Sequence, residues 1–188
     1  MKLILASASP RRLDLLARIA VVPDAVIPAE IDETPLKGEL PHRHAERLAA
    51  EKAAAIAVPG SLVLAADTVV AAGRRILPKA EDEATARQCL KLLSGRRHRV
   101  HSAATLIDGE GKARHRLSTT IVTFKQLTAR EIDAYLATGE WQGKAGGYAI
   151  QGSAEAFVRF LAGSHSGVVG LPLFETRALL IAAGYPIG

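Results

Sequence analysis

Cysteine is nearly missing: one residue in 188, Cys89, so no internal disulfide can form and a reducing compartment suits the chain. Cys89 falls in a stretch with helical patterning, where it reads as a small buried hydrophobe. Aromatic residues number eight, too few for a surface that stacks single-stranded bases. Long apolar runs are lacking as well. The most hydrophobic stretch, 53–73, is interrupted by Pro59, Gly60 and Asp67, and reads as a helix end followed by a buried strand rather than a membrane span. Before Ser7 the start is too short in apolar residues for a secretory leader, which argues against export and for the cytoplasm. Repeats, low-complexity tracts and long polar linkers are absent too, so residues 1–188 are expected to form one domain.

What the chain does contain is core-forming material: 48% of residues are apolar and 23% charged, enough for a globular unit and incompatible with disorder. Lysine and arginine number 24 against 19 acidic residues, a formal charge of +5. That balance suits an anionic partner but lacks the dense basic blocks of nucleic-acid arms.

Strand and helix patterns alternate along the chain. An apolar strand over Lys2–Ala6 runs into Ser9-Pro10, an N-cap residue followed by a proline at the first helical position, opening a helix to about Ala20 whose expected apolar face is Leu13, Leu16, Ala17 and Ala20. An extended segment near 25–28, a polar loop over Glu30–Pro41 and an alanine-rich helix to about Ala57 follow. Ser61–Ala66 reads as a buried strand ending at Asp67-Thr68, and Val69–Leu77 as a hairpin turning at Ala72-Gly73. A helix is expected over Glu81–Leu93, with Ala84, Cys89, Leu90 and Leu93 among its apolar positions and a stop at Ser94-Gly95. Two strands, Arg99–Ile107 and Arg114–Phe124, are joined by Asp108-Gly109-Glu110-Gly111. Thr128 and Glu131 have capping-box spacing and open another helix. A glycine-rich loop, a strand near Ala156–Leu161 and a last helix over Pro172–Ala183 complete the chain. Helices intermixed with at least two hairpins imply an α/β layered fold on a mixed sheet.

Four segments carry candidate chemistry. In Ser7-Ala8-Ser9-Pro10-Arg11-Arg12 a strand passes through small hydroxyl residues into a helix N-terminus bearing two arginines, which suits phosphate. A capped helix with solvated arginines is the other reading of that pattern. Asp67, closing an apolar strand, could hold a divalent cation or orient a water for attack on phosphorus; it could equally begin a turn. The acidic loop Glu30-Ile31-Asp32-Glu33 could share such a cation, and Lys52 and Lys79 could neutralise phosphate, although single lysines commonly face water. Lys144–Gly152 is rich in glycine, which lets backbone approach a ligand, and its Gln151 offers a donor and an acceptor suited to a base edge. Other features carry less. His42, His44, His98 and His101 lack the further ligands of a zinc site. Ser164-His165 has no positioned acid and is not the G-x-S-x-G elbow. The basic run Arg96–Arg99 reads as a solvated face, and a Walker-type phosphate loop is absent.

In order, these pieces resemble the Maf family of nucleotide pyrophosphatases, associated with septum formation. The likeness runs nearly end to end: Leu5-Ala6-Ser7 with Ser9-Pro10-Arg11-Arg12, Asp32-Glu33, Glu51-Lys52-Ala53, Ala66-Asp67-Thr68-Val69-Val70, Lys79, Leu93-Ser94-Gly95, Lys144-Ala145-Gly146 with Tyr148, Ile150-Gln151-Gly152 and Val169-Gly170-Leu171-Pro172. The resemblance implies an elongated mixed sheet flanked by helices, two lobes around a cleft as in the inosine triphosphate pyrophosphatases, and commonly a homodimer. It implies hydrolysis of a nucleoside triphosphate to the monophosphate and pyrophosphate, with Mg²⁺ or Mn²⁺ required. By position, Asp67 matches the catalytic acid that activates water and, with Glu33, the metal site. Ser7, Ser9, Arg12, Lys52 and Lys79 match the phosphate side. Arg11, Thr68 and Gln151 match a substrate signature similar to the branch acting on dTTP, UTP and modified uridine or thymidine triphosphates; the 7-methyl-GTP branch has an aromatic residue, glutamine and glutamate there. An amide suits the neutral edge of uracil, whereas a carboxylate suits a positively charged purine. Lys79-Ala80 departs from the family's lysine-proline, which bears on the rigidity of that loop. A different class, a non-catalytic cell-division regulator or nucleic-acid-binding module, would need neither Asp67 nor a metal.

Overall fold

The computed structural model describes residues 1–187. Its strands and helices, in chain order, are β1 (Lys2–Ala6), α1 (Pro10–Ala17), β2 (Ala25–Val26), α2 (Pro41–Ile56), β3 (Ser61–Ala72), β4 (Arg75–Ile76), α3 (Glu83–Leu93), β5 (Arg97–Ile107), β6 (Ala113–Phe124), α4 (Ala129–Ala137), β7 (Val158–Ala162), α5 (His165–Val169) and α6 (Leu173–Ala182). The seven strands form one mixed sheet, β2-β1-β3-β5-β6-β7, with β4 paired to β3. β1 is parallel to β2 and β3, and the other pairings are antiparallel.

Alternation along the strands divides the core between the two faces of this sheet. Leu3, Leu5, Leu62, Leu64 and Ala66 point one way, into the main core with Leu15 and Leu16 of α1, Leu90 and Leu93 of α3, Ile132 and Leu136 of α4, and Leu179 and Leu180 of α6. Ile4, Ala6, Val63 and Ala65 point the other way, toward Ala53 of α2, and Val69 and Ala103 pack under Ala45 and Ala49 of the same helix. Alanines on α2 let its backbone lie close to the sheet, and so place whatever else the helix carries against β3.

Three sequence expectations shift. Asp67 does not end a strand: β3 continues unbroken to Ala72, and Asp67 sits in register with Ala103 of β5. The apolar Val69-Val70-Ala71 keeps pairing with β5, and a charge inside a strand is tolerable when a partner meets it. α1 stops at Ala17, and Ala20 turns the chain with φ 55°, so Leu15 and Leu16 are buried while Leu13 and Ala17 face outward. α3 starts at Glu83 because Asp82 caps it, accepting from the Thr85 N–H at 2.7 Å, and Ala86 rather than Ala84 joins the core. The capping box at Thr128 and Glu131 forms with both bonds. α5 was not anticipated: Ser164 accepts from the Gly167 N–H at 2.9 Å and starts a short helix where sequence patterning suggested only a loop.

The length mismatch between β1 and β3 opens the cleft. β1 pairs with β3 only as far as Ala6 opposite Ala65, and β4 takes up the same edge again at Ala71. Residues 66–70 therefore border a gap in which β3 has a strand neighbour on one side only.

Candidate active site

The gap between β1 and β4 is the floor of a cavity of about 400 Å³. Glu30 and Asp32 of the acidic loop do not line it, whereas Ser7, Ser9, Arg11, Arg12, Glu33, Lys52, Asp67, Thr68, Lys79 and Gln151 all do. They come from β1 and α1, the loop before α2, α2 itself, β3, and the loops around residues 79 and 151.

At the centre lies an ion-pair chain. Asp67 is 5% exposed and points to the α2 face, where Lys52 Nζ donates to its Oδ1 at 2.7 Å. The same ammonium is 2.6 Å from Glu33 Oε1, and Glu33 Oε2 also accepts from Lys79. Burial works to raise the Glu33 carboxyl, but the hydrogen bonds and charges of Lys52 and Lys79 outweigh it and hold it at about 2. Of the acidic loop only Glu33 enters the chain, since Asp32 turns back to accept from the Thr34 N–H at 2.9 Å.

A second set of groups stands at the start of α1. Arg12 Nη1 donates to Ser7 Oγ at 3.1 Å, and the Ser9 N–H donates to the same oxygen at 3.1 Å. Ser7 Oγ thus accepts twice, which leaves its own proton for a ligand. Ser9 occupies the N-cap position without a side-chain capping bond, and its buried Oγ has no protein partner. Burial lowers the proton affinity of the Arg12 guanidinium and Asp67 opposes that effect, so the arginine remains a cation. An orphaned hydroxyl, a free hydroxyl proton and a buried guanidinium at a helix N-terminus are donors of the kind that suit phosphate oxygens.

Backbone groups that sequence patterning left without a role hold these side chains in place. The Val169 carbonyl accepts from Arg11 Nε at 3.3 Å and the Gly170 carbonyl from Arg12 Nε at 2.8 Å. Thr68 Oγ1 lies 3.4 Å from the same Gly170 carbonyl and 3.0 Å from Ser102 Oγ. Gly170 has φ 146°, a conformation that side chains rarely adopt, and the Val169-Gly170-Leu171-Pro172 motif was the available signal for this anchor.

The lysine loop and the glycine-rich loop brace each other. The Ala80 N–H donates to the Lys144 carbonyl at 3.0 Å, the Gly143 N–H to the Ala80 carbonyl at 2.8 Å and the Gly146 N–H to the Pro78 carbonyl at 3.0 Å. Ala80 therefore uses an N–H that a proline could not supply, and hydrogen bonds rather than a ring fix the loop. Gly146 has φ 70°, and a Cβ there would lie 2.8 Å from Val70 Cγ1. Gln142, Lys144 and Tyr148 also line the cavity, and none of them was assigned a role from sequence.

The donor set suits a hard divalent cation. Asp67 and Glu33 are two carboxylates gathered on one ammonium, and a Mg²⁺-like ion commonly takes one or two carboxylates and completes its shell with phosphate oxygens and water. Among the described residues no group of three or more His, Cys, Asp or Glu is placed to hold a metal. Two of the four histidines set aside as zinc ligands have other partners: His44 pairs with Glu39 at 2.9 Å and His98 with Tyr148 Oη at 2.8 Å.

Comparison with known proteins places the chain in a family. The family model described as Maf-like protein matches residues 2–183. A protein of Novosphingobium aromaticivorans named dTTP/UTP pyrophosphatase is 66% identical over 188 residues, covering 99% of this chain and 94% of its own. Another of the same name, from Zymomonas mobilis, is 64% identical over 187 residues, covering 98% and 93%. Among solved structures, the Ham1 protein of Staphylococcus aureus aligns at 18% identity and a TM-score of 0.46, over 66% of this chain and 72% of that one.

Proposed function

We propose that this chain, which belongs to the Maf family, hydrolyses dTTP and UTP, with modified uridine and thymidine triphosphates, to the monophosphate and pyrophosphate. The observation that carries the reading is the convergence of Asp67, Glu33, Lys52, Lys79, Arg12 and Ser7 on one cavity; the names of the two relatives supply the substrate class.

In the proposed reaction, the triphosphate lies against the start of α1, where Arg12, Ser7, Ser9 and Lys79 take its non-bridging oxygens. Lys52 holds the Asp67 carboxylate in the cleft. Asp67 accepts a proton from a water as that water's oxygen bonds to the α-phosphorus; the bond from the α-phosphorus to the bridging oxygen breaks, and pyrophosphate leaves with the electron pair. Asp67 and Glu33 would hold Mg²⁺ or Mn²⁺, which supplies charge neutralisation at the phosphates when bound. Gln151 reads the base through its amide, with Arg11 and Thr68 shaping the same end of the cleft.

No described helix is long and apolar enough to cross a membrane. Action in the cytoplasm and assembly as a homodimer complete the proposal. Pyrophosphate release from dTTP, UTP, CTP, dATP, GTP, ITP and 7-methyl-GTP, with Mg²⁺, Mn²⁺ or EDTA, tests the reaction. Metal-dependent release fastest with dTTP and UTP is expected; release only from 7-methyl-GTP or ITP overturns the base reading, and release from none overturns the activity.

A further inference from the structure

A second cavity, of about 310 Å³, lies on the α2 side of the sheet. Its lining brings together His42 from the first turn of α2, Arg74 from the β3–β4 turn, Arg99 and His101 from β5, and Thr119 from β6. No carboxylate lines it. The acidic residues of the neighbouring stretch are engaged elsewhere, Glu39 by Arg47 and His44, and Glu46 by Arg43. Among the described residues, Arg74, Arg99, His42 and His101 form no ion pair with any carboxylate.

The cluster is therefore of one sign, and its members crowd one another. The His42 and His101 rings are 6.0 Å apart. His101 is 7% exposed; its Nδ1 meets Thr119 Oγ1 at 3.0 Å, and no described protein group takes up its Nε2. Burial lowers the proton affinity of His101, and the charges of His42 and Arg99 lower it further. The N-terminus of α2 adds to the same field. Its N-cap, Leu40, has no side chain able to cap, Pro41 has no N–H, and the first intrahelical bond is from the His44 N–H to the Leu40 carbonyl. Cations, a buried imidazole with an unengaged nitrogen and the first N–H groups of α2 are thus gathered around one concavity.

We infer that this cavity is a second anion site, which takes free inorganic phosphate or pyrophosphate between Arg74, Arg99, His42, His101 and the N-terminus of α2. A small tetrahedral anion matches the donor set, since guanidinium groups can grip its oxygens in pairs and, with the Thr119 hydroxyl donating to His101 Nδ1, the Nε2–H of that ring can donate a single bond. The site is separate from the catalytic cleft. His42 and Lys52 lie on the same helix, ten residues apart in sequence, which at the α-helical rise is about 15 Å. Its chemistry does not depend on which nucleotide that cleft hydrolyses.

The test is a metal-free titration of the full chain with pyrophosphate, and separately with orthophosphate and with UMP, followed by imidazole ¹H–¹⁵N spectra assigned through His42→Gln and His101→Asn. Saturable shifts at His42 and His101 are expected with pyrophosphate or orthophosphate, with the His98 signal unmoved. In the Arg74→Gln/Arg99→Gln variant, whose changes are at exposed positions, an unchanged melting temperature and affinity weaker by about tenfold or more are expected, as for loss of two charge-assisted contacts. Silent His42 and His101 signals in the wild type would overturn the inference, and so would shifts of equal affinity in the variant, or shifts with UMP and not with the inorganic anions.

Discussion

Asp67, Lys52 and Glu33 show how one residue sets the character of its neighbours. A carboxylate buried inside a strand is costly unless paired, and Lys52 meets that requirement for Asp67 and Glu33 together. Asp67→Asn keeps the shape and removes the base, so pyrophosphate release should fall by about a hundredfold or more while nucleotide binding persists; near-normal turnover would show that Asp67 is not the base. Gln151→Glu places a charge where the proposed contact with uracil needs a neutral amide. It should lower kcat/KM for UTP and dTTP, and unchanged values for both would release Gln151 from base reading.

These residues differed in how far sequence revealed them. Asp67, Lys52 and Lys79 were legible as isolated charges, and the family likeness supplied their expected roles. What could not be read was that Lys52 bridges two carboxylates, because residues 33, 52 and 67 meet only after α2 folds onto β3. The carbonyls of Val169 and Gly170 were invisible as well, since every residue has a carbonyl and only tertiary placement selects two of them to hold Arg11 and Arg12.

Among elements, two loops at the cleft are braced by backbone hydrogen bonds. Loop 78–80 and loop 143–147 exchange backbone hydrogen bonds, and Gly146 sits against Val70 of β3 with no room for a Cβ. Gly146→Ala requires both an unfavourable positive φ and a displacement of Val70, so a stability loss above about 1 kcal/mol is expected in urea unfolding. Because Val70 and Lys144 both line the cavity, kcat/KM should fall with it; a variant as stable and as active as the wild type would show that the two loops are not coupled. Local rules located most elements well. Turn residues, a capping box and apolar alternation act within a few positions and leave a mark in sequence. They fall short at α1, where apolar patterning runs a turn beyond the helix, and at β3, where the charge of Asp67 interrupts the apolar run without ending the strand.

For the whole molecule, folding buries groups that must remain neutral and groups that must remain charged, and both make it sensitive to acid. His98 is held neutral by burial, with its pKa lowered to about 4 from 6.5, and it packs among Phe124 and Tyr148. A lowered folded-state pKa means that its contribution is present above the unfolded value and is lost as the pH falls toward 4. Glu33, lowered to about 2 from 4.5, has the same sign in a lower window. The urea midpoint should therefore fall in two stages, between pH 6.5 and 4 and again between 4.5 and 2. His98→Asn should shrink the first stage and Glu33→Gln the second, to which Glu39 and Glu131, also lowered to about 2, contribute as well. A midpoint that does not change from pH 7 to 4 in the wild type would contradict the buried neutral state of His98.

The sequence by itself determined the class of fold, the order of its elements and the chemical kinds of group in the cleft, because periodicity, capping and turn preferences are short-range and residue identity is given outright. Folding alone settled that β1 stops where β3 continues, that residues from seven separate stretches of chain meet at that gap, and that His42, Arg74, Arg99 and His101 face a second cavity without a counter-charge. Those are relations between distant segments, set by how alanines bring α2 down onto the sheet and by where strand pairing runs out, and no local pattern encodes either.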